Sequence, residues 1–200
     1  MAFYEIDGVR PIVHPTAFVH PAAIVIGDVT IGPNCYIAPM ASLRGDFGRI
    51  VIHAGSNVQD NCTMHAFPGM DAVIEEDGHV GHGAILHGCV LKRNTLVGMN
   101  AVVMDGAIIG EDSIVAAMAF VKAGFQVPPR SLVGGVPARI MRELTDQDIA
   151  WKITGTDTYK RLTERCHATM TECDALTEAE ADRKPLDAGT TKPRHLARGG

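Results

Sequence analysis

The chain has 200 residues, of which 46% are hydrophobic and 5% aromatic, and its formal net charge is −5, which allows one sizeable core with an appendage. The negative net charge argues against a nucleic-acid partner. No signal peptide or membrane span is visible, so we expect a cytoplasmic protein without a membrane partner. Five cysteines, an odd number without a CxxC pair, are expected to be free thiols of a reducing compartment.

Residues 1–10 are predicted to form a short lead-in strand, after which an aliphatic residue recurs at every sixth position to about residue 124. Seventeen positions follow this period: Val19, Val25, Ile31, Ile37, Leu43, Ile52, Val58, Met64, Ile74, Val80, Leu86, Leu91, Val97, Val103, Ile109, Val115 and Val121. A six-residue period is neither helical nor the alternation of a plain strand, and it is typical of a repeat architecture. Three units form one triangular coil, so roughly 18 units predict six stacked coils of parallel strands.

The period is interrupted in three places. Nine residues separate Leu43 from Ile52, ten separate Met64 from Ile74, and five separate Leu86 from the next inward residue. Insertions in a solenoid are expected to leave it as loops, often on the binding face. The insert at residues 67–71 is therefore a candidate wall of a binding site.

The period is expected to end near residue 127, which gives a solenoid domain at 1–142 and C-terminal α-helices at 143–182. A first helix is predicted to begin at Thr145, with acidic residues in its first turn, and to end at Gly155. A second helix from about residue 157 is expected to pack along the outside of the coils. Its apolar stripe would consist of Tyr159, Leu162, Cys166, Met170 and Cys173. Residues 183–200 are expected to form a disordered tail.

The six-residue period places three reactive side chains in one column. Arg44, His65 and His87 each follow an inward residue of the same side, in three consecutive coils. Neighbouring coils are about 4.8 Å apart, so the two imidazoles are well placed to share a metal ion. Asp60 and His82 form a second column on another side.

The position of His82 leads to a prediction about assembly. It precedes His87 by five residues, which is roughly 16 Å of extended chain with a corner between them. One subunit is therefore not expected to bring His82 to the pair of His65 and His87. Three imidazoles with one open position make a catalytic metal site of the zinc type. A three-fold axis brings in His82 of a neighbour, so the spacing predicts a homotrimer with metal sites at its subunit interfaces.

Four stretches of the chain resemble the site of the gamma-class carbonic anhydrases. They are residues 43–46 (Leu-Arg-Gly-Asp), 56–60 (Ser-Asn-Val-Gln-Asp), 64–65 (Met-His) and 81–88 (Gly-His-Gly-Ala-Ile-Leu-His-Gly). The resemblance implies an all-β solenoid, a left-handed parallel β-helix that assembles as a homotrimer. It also implies that His65 and His87 of one subunit and His82 of the next bind the metal. Zn²⁺ is the expected ion, and Fe²⁺ and Co²⁺ suit the same ligands.

The same resemblance implies roles for five polar residues. Arg44 and Asp46 would form a salt bridge at the trimer interface. Gln59 would orient the attacking water. Asn57 and Asp60 would be outer polar groups of the site, and the Asp60 carboxylate is a candidate proton acceptor.

A closer resemblance covers about residues 1–180. Residues 41–50, 81–88, 96–106 and 119–124 are similar to the hexapeptide proteins of phenylacetic acid degradation, and nearly as similar to a relative encoded with carnitine metabolism. The first group is regarded as thioesterases acting on CoA thioesters. The resemblance therefore implies a metal-dependent hydrolase of acyl-CoA thioesters, in aerobic phenylacetate catabolism.

Three alternatives remain open. The first is CO₂ hydration, although the short insert at 66–71 has one isolated acid, Asp71, where archaeal gamma carbonic anhydrases carry an acidic loop for proton transfer. The second is CoA-dependent acyl transfer with a lone histidine as general base. The third is an accessory protein, without catalysis of its own, in a CoA pathway such as carnitine metabolism.

Overall fold

A computed structural model describes residues 2–187, 189 and 191–193. Over these residues the chain forms a parallel β-solenoid of seven coils, with one C-terminal helix, Asp146–Thr169, packed along its outside. The predicted fold class, a β-solenoid of hexapeptide repeats with a helical C-terminus, is confirmed.

Each coil contributes one strand to each of three faces. The first face contains Ala2–Tyr4, the beginnings of the long strands Ile24–Ile31 and Ser42–Ile52, then Thr63–His65, Ile85–His87, Val102–Val103 and Phe120–Val121. The second face contains Ile12–Val13, the ends of those two long strands, then Ala72–Ile74, Val90–Leu91, Ile108–Ile109 and Gln126–Val127. The third face contains Phe18–Val19, Tyr36–Ile37, Asn57–Val58, His79–Val80, Leu96–Val97, Ile114–Val115, Ser131–Gly135 and the antiparallel strand Ala138–Glu143.

The predicted number of six coils is wrong by one, because both ends of the solenoid extend further than the aliphatic period. The lead-in strand Ala2–Tyr4 pairs in parallel with the next coil. At the other end, Ser131–Gly135 still pairs in parallel with Ile114–Val115. Pro128 and Pro129 lie at the corner before it, where the loss of a backbone N–H interrupts no ladder.

The core confirms the six-residue period. All seventeen predicted inward residues are buried, and the most exposed of them, Val19, is 6% accessible. Asparagine recurs at the corners, where Asn34, Asn61, Asn94 and Asn100 have φ between 54° and 59°. Asparagine tolerates this left-handed conformation better than most residues, so it allows the chain to turn within a few residues.

The prediction that the interruption after Leu43 forms a loop is wrong. The interruption is absorbed into the continuous strand Ser42–Ile52, which passes round a corner. Glycine makes this possible, because a Cβ at Gly45 would lie 2.6 Å from the carbonyl carbon of Asp28, and a Cβ at Gly48 would lie 2.6 Å from the carbonyl oxygen of Phe67. The second interruption does leave the coil as a loop, at residues 66–71.

The C-terminal segment forms one helix where two were expected. Thr145 is the N-cap and forms a capping box with Asp148, as its position predicted. Gly155 does not end the helix. A glycine inside a helix costs only about 1 kcal/mol, and packing on the third face outweighs this cost.

The predicted apolar stripe is confirmed in part. Tyr159, Leu162 and Cys166 pack against Phe18 and Tyr36 of the third face. The other two stripe residues, Met170 and Cys173, follow the last helical residue and are exposed. No helix in the described part of the chain is long and apolar enough to cross a membrane.

Of the tail expected at 183–200, residues 188, 190 and 194–200 lie outside the described part of the chain. Its described residues form neither helix nor strand. All five cysteines are free thiols, and four of them are buried.

Candidate functional site

Two histidines form the centre of the candidate site. Strands Thr63–His65 and Ile85–His87 pair in parallel with His65 opposite His87, as the six-residue period predicted. The Nδ1 atom of His65 lies 3.0 Å from the Nε2 atom of His87. Solenoid stacking therefore brings two imidazole nitrogens into direct contact from residues far apart in sequence.

Each imidazole is oriented by a carboxylate on its opposite nitrogen. Asp46 Oδ1 lies 3.1 Å from Nε2 of His65, and Asp105 Oδ1 lies 2.6 Å from Nδ1 of His87. A ring N–H that donates to a carboxylate leaves a lone pair on the other nitrogen. In the tautomers that donate to these carboxylates, the two facing nitrogens each present a lone pair, and such an arrangement suits a metal cation between them.

Sequence reasoning missed Asp105. It lies two residues after the inward Val103, in the coil that follows His87. The counting that aligned His65 with His87 places Met104, not Asp105, in their column, so Asp105 reaches the His87 ring from one residue further along the chain. A search for carboxylates at the positions next to the histidine column, and not only in it, finds Asp105.

The structure brings the predicted pair of Arg44 and Asp46 together within one chain. Arg44 Nη1 lies 3.3 Å from Asp46 Oδ2, while the other carboxylate oxygen faces His65. Asp46 is mostly buried, whereas the Arg44 side chain is 46% exposed. Asp46 thus links a surface cation to the histidine pair.

His82 lies apart from this pair, as the register predicted. Its Nδ1 is 2.6 Å from Asp60 Oδ2, and the two side chains are about half exposed. Within residues 2–187, 189 and 191–193, no three His, Cys, Asp or Glu side chains converge as metal ligands. A single subunit therefore presents two separate parts, the histidine pair on one edge and His82 with Asp60 on another.

Aromatic rings flank the histidine pair. The ring centroid of Phe47 is 5.3 Å from that of His65, and Phe67, in the 66–71 loop, is 4.9 Å from His87. Both phenylalanines are more than half exposed. Phe67 brings the insert against His87, and the two phenylalanine rings offer an apolar surface beside the facing imidazole nitrogens.

Two of the predicted catalytic residues are buried near Asp60: Asn57 lies in the strand Asn57–Val58, and Gln59 directly follows that strand. The Gln59 amide nitrogen donates to Asn57 Oδ1 at 3.0 Å and to Nε2 of His79 at 2.7 Å. The Asn57 Nδ2 group is buried without a hydrogen-bond partner. These residues belong with His82 and not with the pair of His65 and His87.

Two basic side chains lie between the solenoid and the C-terminal helix, and of these Lys152 is buried and His79 is half-buried. Burial, together with the nearby Lys152 charge, lowers the pKa of His79 to about 3, so this imidazole is neutral at physiological pH. Burial also lowers the pKa of Lys152 to about 7. Lys152 Nζ donates to Asn94 Oδ1 at 2.7 Å and to the carbonyl oxygen of Asp77. This lysine anchors the helix to two corners of the solenoid.

The buried lysine predicts a rise of stability with pH. Its pKa is about 7 in the folded protein and 10.5 unperturbed, so between these values the unfolded chain holds a proton that the folded chain has released. The free energy of unfolding should therefore increase from about pH 7 to about pH 10.5. Below pH 7 the buried lysine lowers the stability of the folded protein most. Relative to Lys152→Met, the wild type should gain on the order of 4 kcal/mol across this range. Urea unfolding at both ends of the range measures it, and parallel pH profiles for the two proteins would contradict it.

Comparison with known proteins agrees with the repeat architecture. The model of the bacterial transferase hexapeptide family (six repeats) matches residues 88–123. A hexapeptide transferase family protein from Anaplasma phagocytophilum is 37% identical, with a TM-score of 0.79 over 82% of this chain and 97% of the other. The product of the BC4754 gene of Bacillus cereus is 33% identical, with a TM-score of 0.82 over 84% of this chain and 97% of the other.

The solenoid and its matched repeats define a hexapeptide-repeat protein. Among curated relatives, the carnitine operon protein CaiE of Proteus sp. (strain LE138) is 55% identical over 192 residues, which is 96% of this chain and 97% of the relative. The chain therefore belongs to the hexapeptide-repeat family that includes the CaiE carnitine operon proteins.

Proposed function

We propose that this protein acts on an acyl-CoA thioester in a CoA pathway of the carnitine type, at a histidine site completed between subunits of a homotrimer. The observation that carries the proposal is the pair of His65 and His87, with facing nitrogens 3.0 Å apart and carboxylates behind both rings. The relatives named carnitine operon protein support the pathway class, and the hexapeptide transferase family supports chemistry on acyl groups.

The facing nitrogens fit a metal ion. Two neutral imidazoles have facing lone pairs, and a cation between them relieves the repulsion of these pairs. Imidazole ligands with carboxylates on their outer nitrogens suit Zn²⁺, Fe²⁺ or Co²⁺. His82 of a neighbouring subunit would be the third ligand, because it is half exposed and oriented by Asp60. When bound, the metal supplies an activated water and polarises the thioester carbonyl.

The remaining residues have distinct roles in thioester hydrolysis. Gln59 orients the attacking water through its carboxamide oxygen, because both amide hydrogens are already donated. Asp60 accepts the proton that the water loses. Phe47 and Phe67 hold the acyl chain against the histidine pair. The thiolate of CoA leaves as the carbonyl reforms, and the products are a carboxylic acid and free CoA.

Acyl transfer without a metal is the second candidate. His87 and Asp105, 2.6 Å apart, form a dyad in which the carboxylate orients the imidazole as a general base. The base would remove a proton from an amine or hydroxyl acceptor that attacks the thioester. This route needs an acceptor substrate and no metal, so the two candidates are experimentally separable.

The test combines metal analysis with an acyl-CoA screen. Purified trimer is analysed for metal and incubated with straight-chain, arylacetyl and carnitine thioesters of CoA, with release of free thiol as the signal. Hydrolysis that needs the metal and disappears in His65→Ala, but persists in the matched control His53→Ala, supports the proposal. Turnover only after addition of an acceptor indicates acyl transfer, and rapid CO₂ hydration without thioesterase activity indicates a carbonic anhydrase. A metal-containing trimer without any turnover would favour an accessory role.

A further inference from the structure

The side chain of Gln59 is held from outside the proposed site. A primary amide has two N–H donors and one carbonyl oxygen. In Gln59 both donors are used, one on Asn57 Oδ1 and one on Nε2 of His79. This arrangement fixes which end of the amide is free, and the free atom is the carbonyl oxygen.

His79 accepts this hydrogen bond because it is neutral. Desolvation keeps the pKa of His79 far below its usual value, so Nε2 retains its lone pair and the proton resides on Nδ1. The Nδ1–H group faces Thr156 Oγ1 of the C-terminal helix at 3.4 Å. A protonated His79 would present an N–H to Gln59 and force its amide to rotate by half a turn.

The helix encloses His79. The Tyr159 ring packs edge-on at 90° with centroids 5.2 Å apart, and Gly155 of the helix faces His79 Cε1, which lies 3.9 Å from where its Cβ would be. Lys152, one turn earlier on the same helix, places its amine nearby and further disfavours a charged imidazole. The charged and titratable groups that face His79 include Lys152 and Tyr159 from the helix and His82 from the adjacent corner.

We infer that His79 and Thr156 are positioning residues, through which the docked C-terminal helix sets the orientation of the Gln59 carboxamide. The chain of contacts runs from Thr156 on the helix, through the His79 ring, to the Gln59 amide. Neither positioning residue needs to touch substrate. The consequence for catalysis rests on the proposed function, in which Gln59 orients the attacking water.

The helix thereby becomes part of the site and not only a cover for the third face. If it undocks, His79 gains access to water and protonates near its usual pKa, and Gln59 loses the acceptor that orients it. Asn57 is buried and its Nδ2 group has no partner, but its Oδ1 still accepts from the Gln59 amide. Gln59 then has one acceptor where the docked helix gives it two. One acceptor leaves the amide free to rotate, whereas two acceptors define its plane.

The test uses two variants and two independent readouts in the full-length trimer. His79→Phe keeps a ring against Tyr159 but removes the acceptor, and Thr156→Val removes the helix hydroxyl while keeping the shape of the side chain. Thr156→Ser restores the hydroxyl. Thr154→Val is the matched control, because Thr154 lies on the same helix and is exposed. Circular dichroism and the mass of the trimer establish that each variant is folded.

The first readout does not depend on activity. The chain has three glutamines, at 59, 126 and 147, so side-chain ¹⁵N labelling of glutamine gives three pairs of amide signals. We expect the exchange protection of the Gln59 amide protons to fall about 10-fold or more in His79→Phe, to fall less in Thr156→Val, and to be unchanged in Thr154→Val. Unchanged protection in both test variants would overturn the inference.

The second readout is kinetic. We expect His79→Phe to lower kcat about 10- to 100-fold with KM changed less than about 3-fold, and Thr156→Ser to recover the rate lost in Thr156→Val. In a Gln59→Ala background, His79→Phe should change kcat by less than about 2-fold, because the residue it positions is gone. Equal effects in both backgrounds would contradict the inference. If the test variants lose protection of the Gln59 amide and the wild-type trimer has no thioesterase activity, the proposed function is refuted. The positioning of Gln59 by the helix then still holds.

Discussion

Replacing His82 with alanine is expected to lower acyl-CoA hydrolysis by about 100-fold or more while the solenoid remains folded. The side chain is half exposed, and its polar contact is with Asp60, so its loss leaves no cavity in the core. The proposed site loses its third ligand, and the metal content of the purified trimer should fall together with the rate. Thermal unfolding should change little, and His53→Ala is the control with activity retained.

The decisive form of this experiment mixes two inactive proteins. A His82→Ala subunit retains its own histidine pair, and a His87→Ala subunit retains His82. After unfolding and refolding of an equal mixture, about one quarter of the interfaces combine the intact parts of both. We expect recovery of about one quarter of the wild-type activity and metal content. Separate refolding of each variant should recover neither, and a mixture without recovery would show that the site is not shared between subunits.

Gly48→Ala is expected to destabilise the protein by about 3 kcal/mol and to displace the 66–71 loop. A Cβ at this position would lie 2.6 Å from the Phe67 carbonyl oxygen and closer still to that of Met70. These are backbone atoms, so the loop itself must move. Because Phe67 packs on His87, the acyl-CoA KM should rise as well. Urea unfolding and steady-state kinetics measure the two effects.

A second glycine provides the matched control. Gly155 lies inside the C-terminal helix, and a Cβ there would meet its nearest neighbour, His79 Cε1, at 3.9 Å, an ordinary contact. Gly155→Ala should therefore stabilise the protein by about 0.5 to 1 kcal/mol through helix propensity and reduced unfolded-state entropy. Equal stability of the two alanine variants would contradict the explanation that position 48 needs glycine because backbone atoms approach it closely.

The sequence by itself determined the solenoid, its inward residues and the alignment of His65 with His87. The physical reason is that one local rule repeats: an aliphatic residue at each sixth position must face the core, and the side chain that follows it then has a defined place on an edge. The separation of His82 from that pair follows from the same rule. These features need no knowledge of contacts between distant segments beyond the stacking of coils.

Only the tertiary structure decided the features that depend on what packs against a coil. Ala2–Tyr4 and Ser131–Gly135 lack the regular period and join the solenoid because a neighbouring strand offers them a free edge. The helix continues through Gly155 because packing on the third face stabilises it, and local helix propensity does not predict that packing. The neutral state of His79 and its hold on Gln59 arise from burial under that helix, and burial is a property of the folded chain that no local pattern in the sequence encodes.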